Sequence, residues 1–227
     1  MTRRAAGALR AAALLLCAVA TPAWSGAWLK EKGQAFLSFG LDRDRWGDWK
    51  SVYGEYGWSD RFTVGVSAGG RDNPLMPVTG MDIEGYAFLR GAIRGTGATR
   101  IAWQIGAGAK LDQEAGILPQ AYLGGAIGHG FSNGWWTNLD LAAVTTFHPV
   151  EQTHELRADA ALGLGEVGLG GMRLGDVVIE ASARHDGTRT SYEVTPSIGR
   201  TIRGVQARAG LRLGTETGLR LRIERSF

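Results

Sequence analysis

Four histidines and a single cysteine limit the metal and thiol chemistry open to this chain of 227 residues. A protein metal site needs His, Cys or carboxylate ligands at spacings that bring them together. His129, His148, His154 and His185 show no helical His-x-x-x-His spacing, and Cys17 stands far from all of them. No metal and no cofactor are expected, and the histidines read as solvated loop and strand residues. Serine hydrolysis needs a histidine within hydrogen-bond reach of the hydroxyl. His129 and Ser132, in the stretch His-Gly-Phe-Ser-Asn-Gly, are the candidate pair. Their odd spacing sets them on opposite faces of a straight strand. Ser132-Asn133-Gly134 is also an ordinary turn sequence. The expectation is a turn and no enzyme, with catalysis by His129 and Ser132 as the alternative. The glycine-rich stretches Gly91–Ala98 and Gly163–Gly168 end in no Gly-Lys-Ser/Thr and lead into no helix pattern, so they read as strand and turn glycines rather than phosphate loops.

A larger constellation is the set of charges that share one parity. Glu55, Glu84, Arg90, Lys110, Asp140, Glu155, Arg157, Asp159, Glu180, Arg184, Glu193, Arg208, Arg212, Arg220, Arg222 and Glu224 alternate with apolar residues. Near the C-terminus, Leu219, Leu221 and Ile223 alternate with Arg220, Arg222 and Glu224. Just before, Val205, Ala207, Ala209, Leu211 and Leu213 alternate with Gln206, Arg208, Gly210 and Arg212. A helix would spread these arginines around its surface, whereas a strand puts them all on one side. A soluble sandwich would turn the charged face to water, and a barrel would turn it to an enclosed lumen. The period alone does not separate these cases. The arginines gather on the last two strands and Glu155, Asp159, Glu180 and Glu193 just before them. Two readings follow: a transverse field of the kind that sorts ions in a pore, or a paired network that fills a closed interior.

The elements that must carry these residues come from turn signals. Cutting at them gives about twelve strands, with ten as the alternative. They fall near 34–42, 50–58, 62–70, 83–94, 100–111, 119–131, 135–147, 153–165, 174–185, 190–202, 205–214 and 218–227. Alternate connections differ in character. Residues 59–61, 95–99, 132–134 and 203–204 are short; 43–49, 71–82, 112–118, 148–152 and 186–189 are more polar and often longer. The stretch 165–172 is long for the first set, and 215–217 is tight for the second. On the apolar parity, Trp58, Phe62, Trp103, Phe131, Trp135 and Phe227 all lie near a short-turn end or the C-terminus, as a membrane-rim belt would. Phe39, Phe147 and Tyr192 lie toward the opposite ends.

Composition narrows the class further. Arg3, Arg4 and Arg10 precede the apolar run Ala11–Ala20, and Ala23 and Ser25 supply a small-residue exit. That layout is a cleavable secretory signal over residues 1–25, and the run is too short for a spanning helix of about 20 residues. Leu16 before Cys17 argues against a lipid anchor. The chain carries 25 Lys+Arg and 22 Asp+Glu, and the three arginines of residues 1–25 account for the whole excess. The remainder, 26–227, is formally neutral, so the basic balance does not point to nucleic acid. It also lacks cysteine, which excludes disulfides and thiolate metal sites. The 35 glycines are about twice the usual share. Many fall inside the strand pattern, where a curving wall would use them.

Three segments resemble known classes. The tail Leu219-Arg-Leu-Arg-Ile-Glu-Arg-Ser-Phe227 resembles the C-terminal signal of Gram-negative outer-membrane proteins, except that Arg225 stands where an apolar or aromatic residue is usual. The segment Val52–Val66 resembles a common hairpin of that class. The resemblance covers residues 26–227 in pattern and is specific for no one member. It implies a closed antiparallel transmembrane β-barrel in the outer membrane, in contact with outer-membrane lipid, with Phe227 read by the barrel assembly machinery. His129–Gly134 resembles the His-x-Ser-Asn-Gly stretch of outer-membrane phospholipase and lipid A deacylase barrels, but is one residue longer and falls at a short-turn end. The expectation is therefore a non-enzymatic outer-membrane barrel, either a narrow pore or a structural protein, of open oligomeric state. The alternatives are a lipid hydrolase and a soluble periplasmic β-protein that binds a ligand.

Overall fold

The structure, a computed structural model, describes residues 26–45, 47–72, 82–112, 115–169 and 172–227. The signal segment expected at 1–25 lies outside them. Twelve strands follow in order: β1 Ala35–Asp44, β2 Gly47–Ser59, β3 Phe62–Asp72, β4 Asp82–Thr96, β5 Thr99–Asp112, β6 Gly116–Gly130, β7 Trp136–Phe147, β8 Gln152–Leu169, β9 Met172–His185, β10 Thr190–Ile202, β11 Val205–Gly214 and β12 Gly218–Ser226. Each pairs antiparallel with its chain neighbours, and β1 pairs with β12 to close the barrel. The fold is all-β, with no helix among the described residues. The count is twelve rather than ten.

Short turns set the register. Ile202 pairs with Val205, leaving Arg203 and Gly204 as a two-residue loop with φ of 52° and 79°. Two left-handed residues match the twist of the flanking strands, and the glycine meets that requirement without strain. The connection expected at 165–172 is shorter than its sequence suggests. β8 continues to Leu169, which pairs with Met172, and irregularities near Gly163 to Gly168 absorb the glycines. Short turns therefore connect β2–β3, β4–β5, β6–β7, β8–β9 and β10–β11 at one end, which also holds both termini of the barrel.

At the opposite end Asp186 builds the β9–β10 turn. Its carboxylate accepts the Thr188 N–H at 2.9 Å, the Arg189 N–H at 2.7 Å and the Thr188 hydroxyl at 2.8 Å. These bonds hold the carboxyl at about 2, below its ordinary 3.8. A depressed folded value means that the ordering is complete above the ordinary value and is lost as pH falls through about 2. Carbon-13 titration of the Asp186 carboxyl should show that low midpoint; a midpoint near 3.8 would contradict the turn geometry.

Alternation sorts the two faces of the wall. Outward, Leu37, Phe39, Val66, Ile105, Leu123, Leu141, Ile198, Leu211, Leu221 and Ile223 are all exposed. Inward lie Phe36, Phe88, Val144 and Val178 with most of the buried polar groups. Several strand glycines serve as seats for rings, while others lie close against backbone. A Cβ on Gly69, Gly91 or Gly163 would strike the ring of Trp49, Trp103 or Trp136 on the neighbouring strand.

Candidate functional site

The register places every expected interior charge on the inward parity. Asp42 faces Arg220, Gly40 faces Arg222 and Ser38 faces Glu224 across β1–β12. Glu193 faces Ser182, Thr195 faces Glu180 and Ser191 faces Arg184 across β10–β9. Gly210 faces Ser197 and Gly199 faces Arg208 across β11–β10. Lys110 stands opposite Glu84, and Arg90 opposite Gln104. The sixteen charges named from sequence thus share one face of a closed wall.

Many of them are joined in a hydrogen-bonded network. Arg212 donates from Nη2 to Glu193 at 2.6 Å and Arg220 donates to the same carboxylate at 2.6 Å. Arg220 also forks onto Asp42 with both bonds at 2.9 Å. Arg222 donates to Glu180 at 3.0 Å, and Arg157 to Glu155 at 2.7 Å. Asp44 receives Arg71 at 2.9 Å and Arg212 at 3.4 Å. Planar guanidinium forks on carboxylates are strong, oriented contacts. Here they tie β12, β11 and β3 to β1, so side chains reinforce the backbone closure of the barrel. Arg208 and Glu224 are buried beside them.

Residues ahead of β1 close the terminal end. Ala27 N–H donates to Asn138 Oδ1 at 3.1 Å on β7, and Lys30 N–H donates to Thr63 Oγ1 at 2.9 Å on β3. Gly33 and Gln34 exchange backbone bonds with Gly57. Trp28 meets Trp136 edge-on at 6.2 Å, and its ring fills the space that a Cβ on Gly128 would need. Residues 26–34 therefore cross the barrel mouth from β7 to β2. Below them sits a dry cluster. Arg90 donates to Glu55 and to Gln104, Tyr53 donates to Glu55 at 2.5 Å, and Lys30 Nζ lies 3.8 Å from the same carboxylate. Phe36, Tyr53 and Phe88 pack around it, with Tyr53 and Phe88 stacked at 5.8 Å.

Beyond this floor the interior opens into a cavity of about 930 Å³. One wall is aromatic and small: Trp49, Tyr53, Tyr86 and Tyr122, with Ser51, Ser67 and Gly69. The facing wall is ionic: Arg157, Asp159, Glu180, Arg184, Glu193 and Arg220. The shape is a vestibule with a filled base. Among the described residues no group of three His, Cys, Asp or Glu side chains could hold a metal.

The alternative catalytic pair does not assemble. His129 stands opposite Thr99 on the outward parity, its Nδ1 2.8 Å from the Thr99 hydroxyl, and its ring packs on Phe131 at 4.6 Å. Ser132 is exposed in the following turn, and no hydrogen bond among the described residues joins it to His129. The remaining histidines also make local contacts. His154 bonds Thr145, His185 bonds Thr190, and His148 Nδ1 accepts the Val150 N–H. The aromatic set gathers at the terminal end. Trp58, Phe62, Phe131, Trp135 and Phe227 are exposed there, Trp103 is half-buried against Phe62, and Arg225 covers the Phe227 ring at 4.7 Å.

The sequence reading missed Asp42, Asp44 and Arg71, which it left at strand ends or in loops, and the crossing segment 26–34. The parity of Ser38 and Gly40 continues through Asp42 and Asp44, so that signal was present. Nothing periodic marks Trp28 or Lys30. No family model matches the chain, and no curated protein matches it.

Proposed function

We propose that this protein is a non-enzymatic outer-membrane β-barrel of a Gram-negative envelope, exported by a signal over residues 1–25, with a vestibule instead of a through-channel. One observation carries the reading: the outward wall is apolar around the whole circumference, while the charges face inward. Soluble monomers rarely expose contiguous apolar patches beyond a few hundred Å². A bilayer is the environment in which such a wall is stable. Strands of 9 to 18 residues suffice for a tilted span of about 9–11 residues. The exposed aromatics at the terminal end suit the interfacial zone on the periplasmic side. Phe227 exchanges backbone bonds with Ala35 at 2.8 and 3.2 Å, so a contact between it and the assembly machinery would act where the barrel closes.

Fractionation tests the location. The protein should partition with outer membranes and need detergent for release; recovery in soluble periplasm without detergent would contradict the reading. Planar-bilayer recording tests the vestibule. The intact chain should give no steady conductance, because residues 26–34 and the Glu55–Arg90 cluster occupy the base. Sustained ohmic current from the intact chain would contradict occlusion. The apolar wall supports the first proposal and the filled base the second, so each fails separately.

A further inference from the structure

Four charges at the ionic wall face like charges across a ladder, as Arg208 and Arg222 also do between β11 and β12. Asp140 on β7 stands directly opposite Asp159 on β8, and Arg157 on β8 directly opposite Arg184 on β9. Like charges facing each other across a ladder are destabilising. Arg157 is held by Glu155, with Glu84 at 3.5 Å, and Asp140 is held by Asn138. Among the described residues no hydrogen bond or ion pair takes the Asp159 carboxylate or the Arg184 guanidinium, and both side chains are exposed to the vestibule. The barrel thus holds an acidic pair beside a basic pair, and Asp159 and Arg184 attract each other without a direct hydrogen bond.

Their spacing selects a ligand. Arg157 and Asp159 are two residues apart on one face, which is about 6.7 Å along a strand. A ligand that meets both pairs must therefore carry its own two opposite charges close together. An ammonium and a carboxylate on one carbon meet that condition. The acidic pair lies deeper and the basic pair nearer the open end, so the ammonium would enter first. Tyr122 is within electrostatic reach of Asp140 and Arg157, and it stacks on Tyr86 at 5.1 Å with 9° between the rings. An apolar ring on the ligand would have an aromatic surface beside the charged patch.

We propose that the vestibule binds a zwitterionic α-amino acid with an aromatic side chain. Asp140 and Asp159 take the ammonium, Arg184 and Arg157 take the carboxylate, and the ring lies toward Tyr86 and Tyr122. The proposal needs the barrel interior alone and stands whether or not the outer wall meets lipid.

Calorimetry on the full chain, folded in detergent and checked by circular dichroism, tests it with three probes. L-phenylalanine should bind saturably. L-phenylalaninamide, which lacks the carboxylate, and 3-phenylpropionate, which lacks the ammonium, should each bind roughly tenfold or more weakly, as loss of a charge-assisted contact requires. Arg184→Gln should erase the preference for phenylalanine over its amide and keep the preference over phenylpropionate; Asp159→Asn should do the reverse. Absent saturation with phenylalanine on a folded barrel, or equal binding of all three probes, overturns the proposal. Glycine binding as tightly as phenylalanine overturns the role of the ring. The probe series on the unmodified protein decides the matter even if a variant fails to fold.

Discussion

Replacing Glu55 with alanine should cost about 3–5 kcal/mol of stability, the usual penalty for removing one partner of a buried ion pair. Glu55, Arg90 and Lys30 are all at or below 6% exposed. The Glu55 carboxylate is the acceptor that Arg90 and Tyr53 share, and Lys30 stands beside it. Its loss leaves two cations facing each other in the dry base of the barrel. Gln104 still accepts from Arg90 at 2.6 Å, but an amide brings no charge. Lys30 also belongs to the crossing segment, so Glu55→Ala should loosen residues 26–34 and admit current where the intact chain gives none. The triple variant Glu55→Leu with Arg90→Met and Lys30→Met should recover most of the loss, since apolar groups of similar volume often replace buried ionic ones at little cost. Urea unfolding in detergent measures both effects. A Glu55→Ala variant within about 0.5 kcal/mol of the parent, as for an ordinary surface change, would show that the base is wet.

The second large effect concerns the outer wall. Leu221 is 49% exposed and pairs with Leu41 on one side and Ala209 on the other. Under the membrane proposal Leu221→Arg puts a guanidinium near mid-bilayer, at a cost of about 2–4 kcal/mol in lipid. Ile202→Arg, beside the short β10–β11 turn, should cost only about 0–1 kcal/mol, because an arginine near the interface reaches water. Both residues are exposed, at 49% and 60%, so in water the two changes would be alike. Folding equilibria in phospholipid vesicles give the comparison. Equal costs at the two positions would remove the bilayer from the explanation.

Much of the architecture was legible because a barrel wall repeats a simple rule. Period-two alternation through Leu219 to Glu224 survives in the structure as two faces, and dipeptides such as Arg203-Gly204 fix where strands end. The β8–β9 connection was misjudged because Gly165 and Gly168 read as loop, yet a β-ladder with bulges tolerates them. The interior was legible in membership and not in partnership. Parity assigns Arg212, Arg220 and Glu193 to one face. Which carboxylate each guanidinium takes depends on shear and closure, which strand-by-strand reading does not contain. Asp44 accepting from both Arg71 and Arg212 joins strands far apart in the chain. The base was hidden for a different reason. Residues 26–34 form no regular element, and their place depends on Asn138, Thr63 and Gly57, which are distant in sequence.

A nitroxide scan along β12 tests the central claim most directly. The only cysteine is Cys17, so single cysteines at positions 219 to 223 can be labelled in protein folded into vesicles and lacking the signal. Labels replacing Leu219, Leu221 and Ile223 should relax strongly with oxygen, which concentrates in hydrocarbon. Labels replacing Arg220 and Arg222 should respond to a water-soluble nickel chelate or to neither agent. The reverse pattern, or chelate access at all five positions, would contradict a wall that turns its apolar face to lipid and its charges inward.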